Sequence, residues 1–98
     1  MIKVNLNNFS ISNNLPLVLI VGPCVIENEK HSLFMAEKIN KICEKLKINY
    51  IYKSSFDKAN RSSIKSCRGV DIKKAIKIFK KIKNNFSCPI LTDIHNDY

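Results

Sequence analysis

Between Lys53 and Ser63 the chain places three cations, four hydroxyls and one amide in eleven residues, with Asp57 the only carboxylate among them. That chemistry suits phosphate. Hydroxyls and amides donate hydrogen bonds to phosphate oxygens, an arginine offers a planar two-pronged donor, and lysines bring compact charge that also meets carboxylates. A string this rich in donors has room for more than one anion. It follows Asn49-Tyr50-Ile51-Tyr52, whose β-branched and aromatic residues predict a short strand, so the donors gather at that strand's C-terminal end. Active sites collect at such ends in α/β proteins. Asp57 lies between cations that keep it ionised, which makes it a local ion-pair partner rather than a base. Phe56 and Ala59 fit poorly in an ordinary solvated turn.

Two shorter motifs frame the string. Gly22-Pro23-Cys24 ends an apolar run upstream, and Thr92-Asp93-Ile94-His95 stands downstream. A thiolate on a strand tip is a reasonable ligand for iron(II) or zinc, yet one ligand makes no metal site. His31 and Glu27 carry only structural readings.

The three motifs, in this order, resemble those of the 3-deoxy-D-manno-octulosonate 8-phosphate (Kdo-8-phosphate) synthases. The resemblance covers essentially the whole chain but only the family's N-terminal part. It implies a (β/α)8 barrel and an aldol-type condensing transferase of lipopolysaccharide biosynthesis. In that reaction C3 of phosphoenolpyruvate attacks the aldehyde of arabinose 5-phosphate, water adds at C2, and inorganic phosphate leaves. By motif position the resemblance assigns Lys53, Ser55 and Lys58 to phosphoenolpyruvate, with Lys58 also polarising the aldehyde and therefore catalytic. It assigns Asn60, Arg61 and Ser62 to the pentose phosphate, and aligns Asp93 and His95 with an acid and a histidine that face the site. Cys24 corresponds to the position that is cysteine in metal-dependent members and asparagine in the others. The implied cofactor is thus a divalent metal, iron or zinc, whose other ligands, a histidine and two carboxylates, come from the part not matched here. Cys67, where an aromatic is common, and Asn96-Asp97-Tyr98 depart from the family pattern. The physical case agrees, since fixed cations offset the repulsion between two anionic substrates.

The elements that must position these residues alternate. Residues 1–14 read as an N-terminal hairpin, with Ile2 to Leu6 and Phe9 to Ile11 alternating around Asn7-Asn8. In the resembled family some members carry such a hairpin across the bottom of the barrel. Residues 15–98 hold the first two β/α units and the third strand. Leu17 to Val21 is a continuous apolar run, as in a parallel strand buried on both faces. Asn28 is a helix N-cap, and Met35, Ile39, Ile42, Cys43 and Leu46 trace one helical face between Lys30 and Lys47. Asp71 caps a second helix that runs to about Asn85. Its predicted stripe is Ile72, Ala75, Ile76, Phe79 and Ile82, with the lysines outside. Ser87-Cys88-Pro89 stops it, and Ile90 to Ile94 is the third strand. The order β-α-β-α-β predicts parallel pairing in a partial α/β domain. A complete barrel takes roughly 250 residues, so a truncated or split enzyme, inactive alone, is the expectation for 98 residues.

Fifteen lysines and two arginines against eight acids give a net charge of +9. Fifteen isoleucines, fifteen lysines and twelve asparagines point to a general compositional bias, and no aromatic-interleaved basic stretch accompanies the charge. Nucleic acid is therefore not the expected partner; small phosphorylated substrates are. The four cysteines show neither zinc-finger nor dense disulfide spacing, and no convincing export signal or membrane-length apolar run is present. A cytoplasmic protein without membrane partners is expected, and the resemblance implies a homo-oligomer, a tetramer, for the complete enzyme. Two alternatives remain: the related condensation of phosphoenolpyruvate with a tetrose phosphate, and a small basic RNA- or phosphate-binding module. In the first, a proline-arginine-threonine pattern follows the lysine, whereas here Lys53 is followed by Ser54-Ser55-Phe56-Asp57-Lys58.

Overall fold

The computed structural model describes residues 3–6, 8–56 and 71–93. From the N-terminus the elements are β1 (Val4–Asn5), β2 (Ser10–Ile11), β3 (Val18–Val21), α1 (Glu29–Leu46), β4 (Asn49–Lys53), α2 (Ile72–Phe86) and β5 (Ile90–Leu91). The helices start where their capping residues dictate. Asn28 Oδ1 accepts from the His31 amide at 2.7 Å, and Asp71 Oδ1 from the Lys74 amide at 2.8 Å, each satisfying a donor that the first turn leaves without an intrahelical partner. Both helices end on a left-handed residue, Lys47 and Ser87, whose amides return to carbonyls of the last turn.

The three longer strands form one parallel sheet in the order β3-β4-β5, with Ile20 beside Ile51 and Tyr52 beside Ile90. This is the expected β-α-β-α-β order in a partial α/β domain. Strand alternation divides the sheet into two faces. On one, Val21, Tyr50, Tyr52 and Ile90 pack with Ala36, Ile39 and Cys43 of α1 and Ala75, Ile78 and Ile82 of α2. The other carries Ile20, 56% exposed, and Leu91, also exposed. Lys81 Nζ lies 2.9 Å from Glu29 Oε1 and ties α2 to α1.

The N-terminal hairpin forms, with β1 antiparallel to β2 and Val4 opposite Ile11. Asn8 Nδ2 donates to the Ser87 carbonyl, and Phe9 helps line a cavity of about 360 Å³ with Cys43, Tyr50, Phe86 and Cys88. The hairpin therefore sits at the N-terminal ends of the strands.

Four expectations need correction. Leu17 is 77% exposed and Ile20 stands open, so β3 is not buried on both faces; it is an edge strand, and among the described residues no layer covers its second face. On α1 the buried positions are Ser32, Ala36, Ile39 and Cys43, whereas Ile42 and Leu46 are exposed and Met35 is only half-buried. On α2 Ile78 is buried with Ala75 and Ile82, Phe79 is half-buried, and Ile72 and Ile76 face outward. In both helices a small residue, Ala36 or Ala75, occupies the close approach. β5 also stops at Leu91, short of Ile94, which lies outside the described residues. No helix among the described residues is long and apolar enough to cross a membrane.

Candidate active site at the C-terminal end of the sheet

Beyond Lys53 the chain stays tied to both neighbouring strand ends. The Ser55 amide donates to the Cys24 carbonyl at 3.2 Å, and the Ile26 amide donates to the Ser55 carbonyl at 2.8 Å, extending parallel pairing through Val25 and Ser55. On the other side the Ser54 amide donates to Leu91 at 3.3 Å. These backbone ties hold the tips of β3, β4 and β5 together around a cleft of about 330 Å³ lined by Gly22, Pro23, Cys24, Lys53, Ser54 and Ser55.

Alternation along β4 sorts the side chains. Tyr50 and Tyr52 turn to the helices, where the Tyr50 hydroxyl donates to Asn40 Oδ1 at 2.8 Å and the Tyr52 hydroxyl makes a long 3.5 Å contact with the Ser32 carbonyl. Burial pushes the Tyr52 phenol up to about 12 and the Tyr50 phenol higher still, and it raises the Cys43 and Cys88 thiols as well. These groups stay neutral, and all four belong to the core. Ile51, Lys53 and Ser55 alternate with them, which places Lys53 and Ser55 together at the cleft. Lys53 is exposed; Ser55 is 2% exposed, and its hydroxyl donates to Asp93 Oδ1.

The structure thus brings together four of the residues singled out by sequence: Cys24, Lys53, Ser55 and, through Ser55, Asp93. Lys58, Asn60, Arg61, Ser62 and His95 lie outside the described residues, as do Asp57 and Cys67. His31 Nδ1 lies 3.3 Å from Glu27 Oε2 at the start of α1, in keeping with structural roles for both. Sequence reasoning missed the Ser55–Asp93 contact and the burial of Ser54, whose Oγ has no hydrogen-bond partner among the described residues. The period-two pattern of β4, carried two residues past its end, puts Ser55 on the same side of the sheet as Lys53 but does not report the contact with Asp93.

The Cys24 thiol is exposed at the cleft, where it can serve as one metal ligand. Among the described residues no group of three His, Cys, Asp or Glu side chains converges, so they do not make a complete centre. The arrangement can hold an anion against Lys53, with hydroxyl and backbone dipoles fixed around it.

The profile of the DAHP synthetase I family matches residues 1–98. The chain is 57% identical over 94 residues to the 2-dehydro-3-deoxyphosphooctonate aldolase of Rickettsia rickettsii (strain Sheila Smith), covering 96% of this chain and 34% of that protein. Proteins of the same name from Rickettsia prowazekii (strain Madrid E) and Rickettsia canadensis (strain McKiel) are 56% and 54% identical, with the same coverage. The chain spans about a third of the length of the curated relatives it matches.

Proposed function

This chain belongs to the DAHP synthetase I family, and from that membership we propose that it forms the first units of a (β/α)8 barrel that condenses phosphoenolpyruvate with arabinose 5-phosphate to give Kdo-8-phosphate and inorganic phosphate. The observation that carries this reading is the convergence of Cys24, Lys53 and Ser55 on one cleft at the C-terminal end of a parallel sheet. The name and identity of the Rickettsia relatives support the same reaction.

In this reading Lys53 and Ser55 hold phosphoenolpyruvate, Lys58 also polarises the sugar aldehyde, and Asn60, Arg61 and Ser62 take the pentose phosphate. Asp93 and His95 complete the substrate site. Cys24 is one ligand of a divalent metal, iron or zinc, which when bound supplies Lewis acidity beside the substrates. Lysine charge offsets the repulsion between the two anions, so that positioning supplies much of the rate. The working enzyme is a cytoplasmic homotetramer whose partners are small phosphorylated molecules. The family's own description favours a second reading, in which the acceptor is a tetrose phosphate; the residues after Lys53 argue for the pentose.

The test joins this chain in frame to the part of the Rickettsia rickettsii relative that it does not match, and follows phosphate release from phosphoenolpyruvate. Release that depends on arabinose 5-phosphate is expected. Release with a tetrose phosphate alone transfers the assignment to the second reading, and release with neither sugar rejects both.

A further inference from the structure

Ser55 is bound at every polar atom the residue possesses. Its amide donates to Cys24, its carbonyl accepts from Ile26, and its buried hydroxyl donates to Asp93. A serine hydroxyl carries one proton and two lone pairs. While that proton points at Asp93, Oγ can meet a third group only as an acceptor. Carboxylate and phosphate oxygens are acceptors too, so Ser55 cannot hold an anion in the cleft and Asp93 at the same time.

We infer that Ser55 is a two-position donor and that Asp93 competes with the anionic substrate for its single proton. The proton is given to Asp93; when phosphoenolpyruvate enters beside Lys53, the hydroxyl turns to the ligand and Asp93 loses that donor. Asp93 is then a positioning residue for Ser55, and it keeps an interaction of its own besides this one. The backbone ties at Cys24 and Ile26 fix the Cα of Ser55, so the exchange needs only rotation of the side chain or its hydroxyl. The choice of phosphoenolpyruvate as ligand rests on the proposed function, while the competition follows from hydrogen-bond valence alone.

A double-mutant cycle tests it. Binding of phosphoenolpyruvate to this chain joined, as above, to the unmatched part of the Rickettsia rickettsii relative is followed by ligand-observed NMR. Asp93→Ala removes both a negative charge and the competing acceptor. In the Ser55→Ala background the same change removes the charge and the other interaction of Asp93 but no competition for the hydroxyl. The tightening caused by Asp93→Ala should therefore be larger with Ser55 present, by roughly three- to tenfold, the span of one modest hydrogen bond. Ser55→Thr keeps a hydroxyl and should restore the larger effect, which separates competition from general damage to the cleft. Equal effects of Asp93→Ala in both backgrounds, in a chain that binds phosphoenolpyruvate, overturn the competition and leave the family reading in place. A chain that binds no phosphoenolpyruvate overturns the assignment of the cleft as well.

Discussion

A Cβ placed on Gly22 would lie 1.9 Å from the carbonyl oxygen of Lys53 and 2.8 Å from its carbonyl carbon. The demand for glycine here is one of close approach, because the tip of β3 runs directly against the backbone that presents Lys53. Backbone atoms cannot swing aside as a side-chain end can. Gly22→Ala should push the two tips apart and weaken the pairing of Ser55 with Cys24, at a cost of about 1 to 3 kcal/mol typical of overpacking. Denaturant midpoints of the joined barrel described above should fall accordingly, and an unchanged midpoint would show that the strand ends are not held this tightly.

What was legible in the sequence was mostly local. The caps at Asn28 and Asp71 act within a single turn, so both helices begin within a residue or so of their expected starts. The buried faces were harder, because the largest apolar residues do not decide which side of a helix meets the sheet. Ser32 and Ala36 lie at the interface since small side chains let α1 approach, while Ile42 and Leu46 flank it. Likewise the phosphate-like string was readable as composition, but the link from Ser55 to Asp93 joins residues 38 positions apart. No periodicity reports such a contact; only the parallel register of β4 and β5 creates it.

Leu17, Ile20, Phe34, Ile42, Leu46, Ile72 and Ile76 are all exposed. Apolar surface of this extent, together with the edge of β3 that pairs with no strand among the described residues, favours association. In solution the 98-residue chain should form oligomers or aggregates and bind a dye that reports exposed apolar surface. Light scattering that finds a monomer, with a sharp melting transition and little dye binding, would contradict this expectation.

Alkaline stability should be limited by the phenols and thiols of the helix-facing layer. Burial raises Tyr52 to about 12 and raises Tyr50, Cys43 and Cys88 in the same direction. Because the folded state holds these protons more tightly than the unfolded state, the stabilisation is fully present below the unfolded values, near about 9 for the thiols and about 10 for the phenols. It is lost as pH rises through the folded values. Unfolding midpoints measured against pH should hold to about 9 and fall most steeply between about 10 and 12. Tyr52→Phe should soften that fall at little expense at neutral pH, under about 1 kcal/mol, since the Tyr52 hydroxyl reaches Ser32 only at 3.5 Å.

In the joined enzyme Cys24→Asn should lower bound iron or zinc, because an amide is a far poorer ligand for these metals than a thiolate. The exposed position of Cys24 on the cleft makes ligation, rather than packing, the role at stake. Some activity can survive the change, since the resembled family also has members that carry asparagine at this position and use no metal. Metal analysis of the purified variant provides the check, and an unchanged stoichiometry would remove Cys24 from the centre.

Lys53 lines the cleft beside Ser55, whereas Arg61 falls within the polar string by motif and outside the described residues. If the string divides its two anions as proposed, the two cations serve different substrates. Arg61→Ala in the joined enzyme should weaken arabinose 5-phosphate more than phosphoenolpyruvate, by roughly ten- to 150-fold, the equivalent of a charge-assisted phosphate contact of about 1.5 to 3 kcal/mol. A contact equally strong in the ground and transition states raises KM and leaves kcat alone. The loss should thus fall chiefly on KM for the sugar. Lys53→Ala should do the reverse and raise KM for phosphoenolpyruvate, because Lys53 is the cation that lines the cleft among the described residues. Titrating each substrate against both variants separates the roles, and equal losses for both substrates in both variants would show that the string does not divide between two anions.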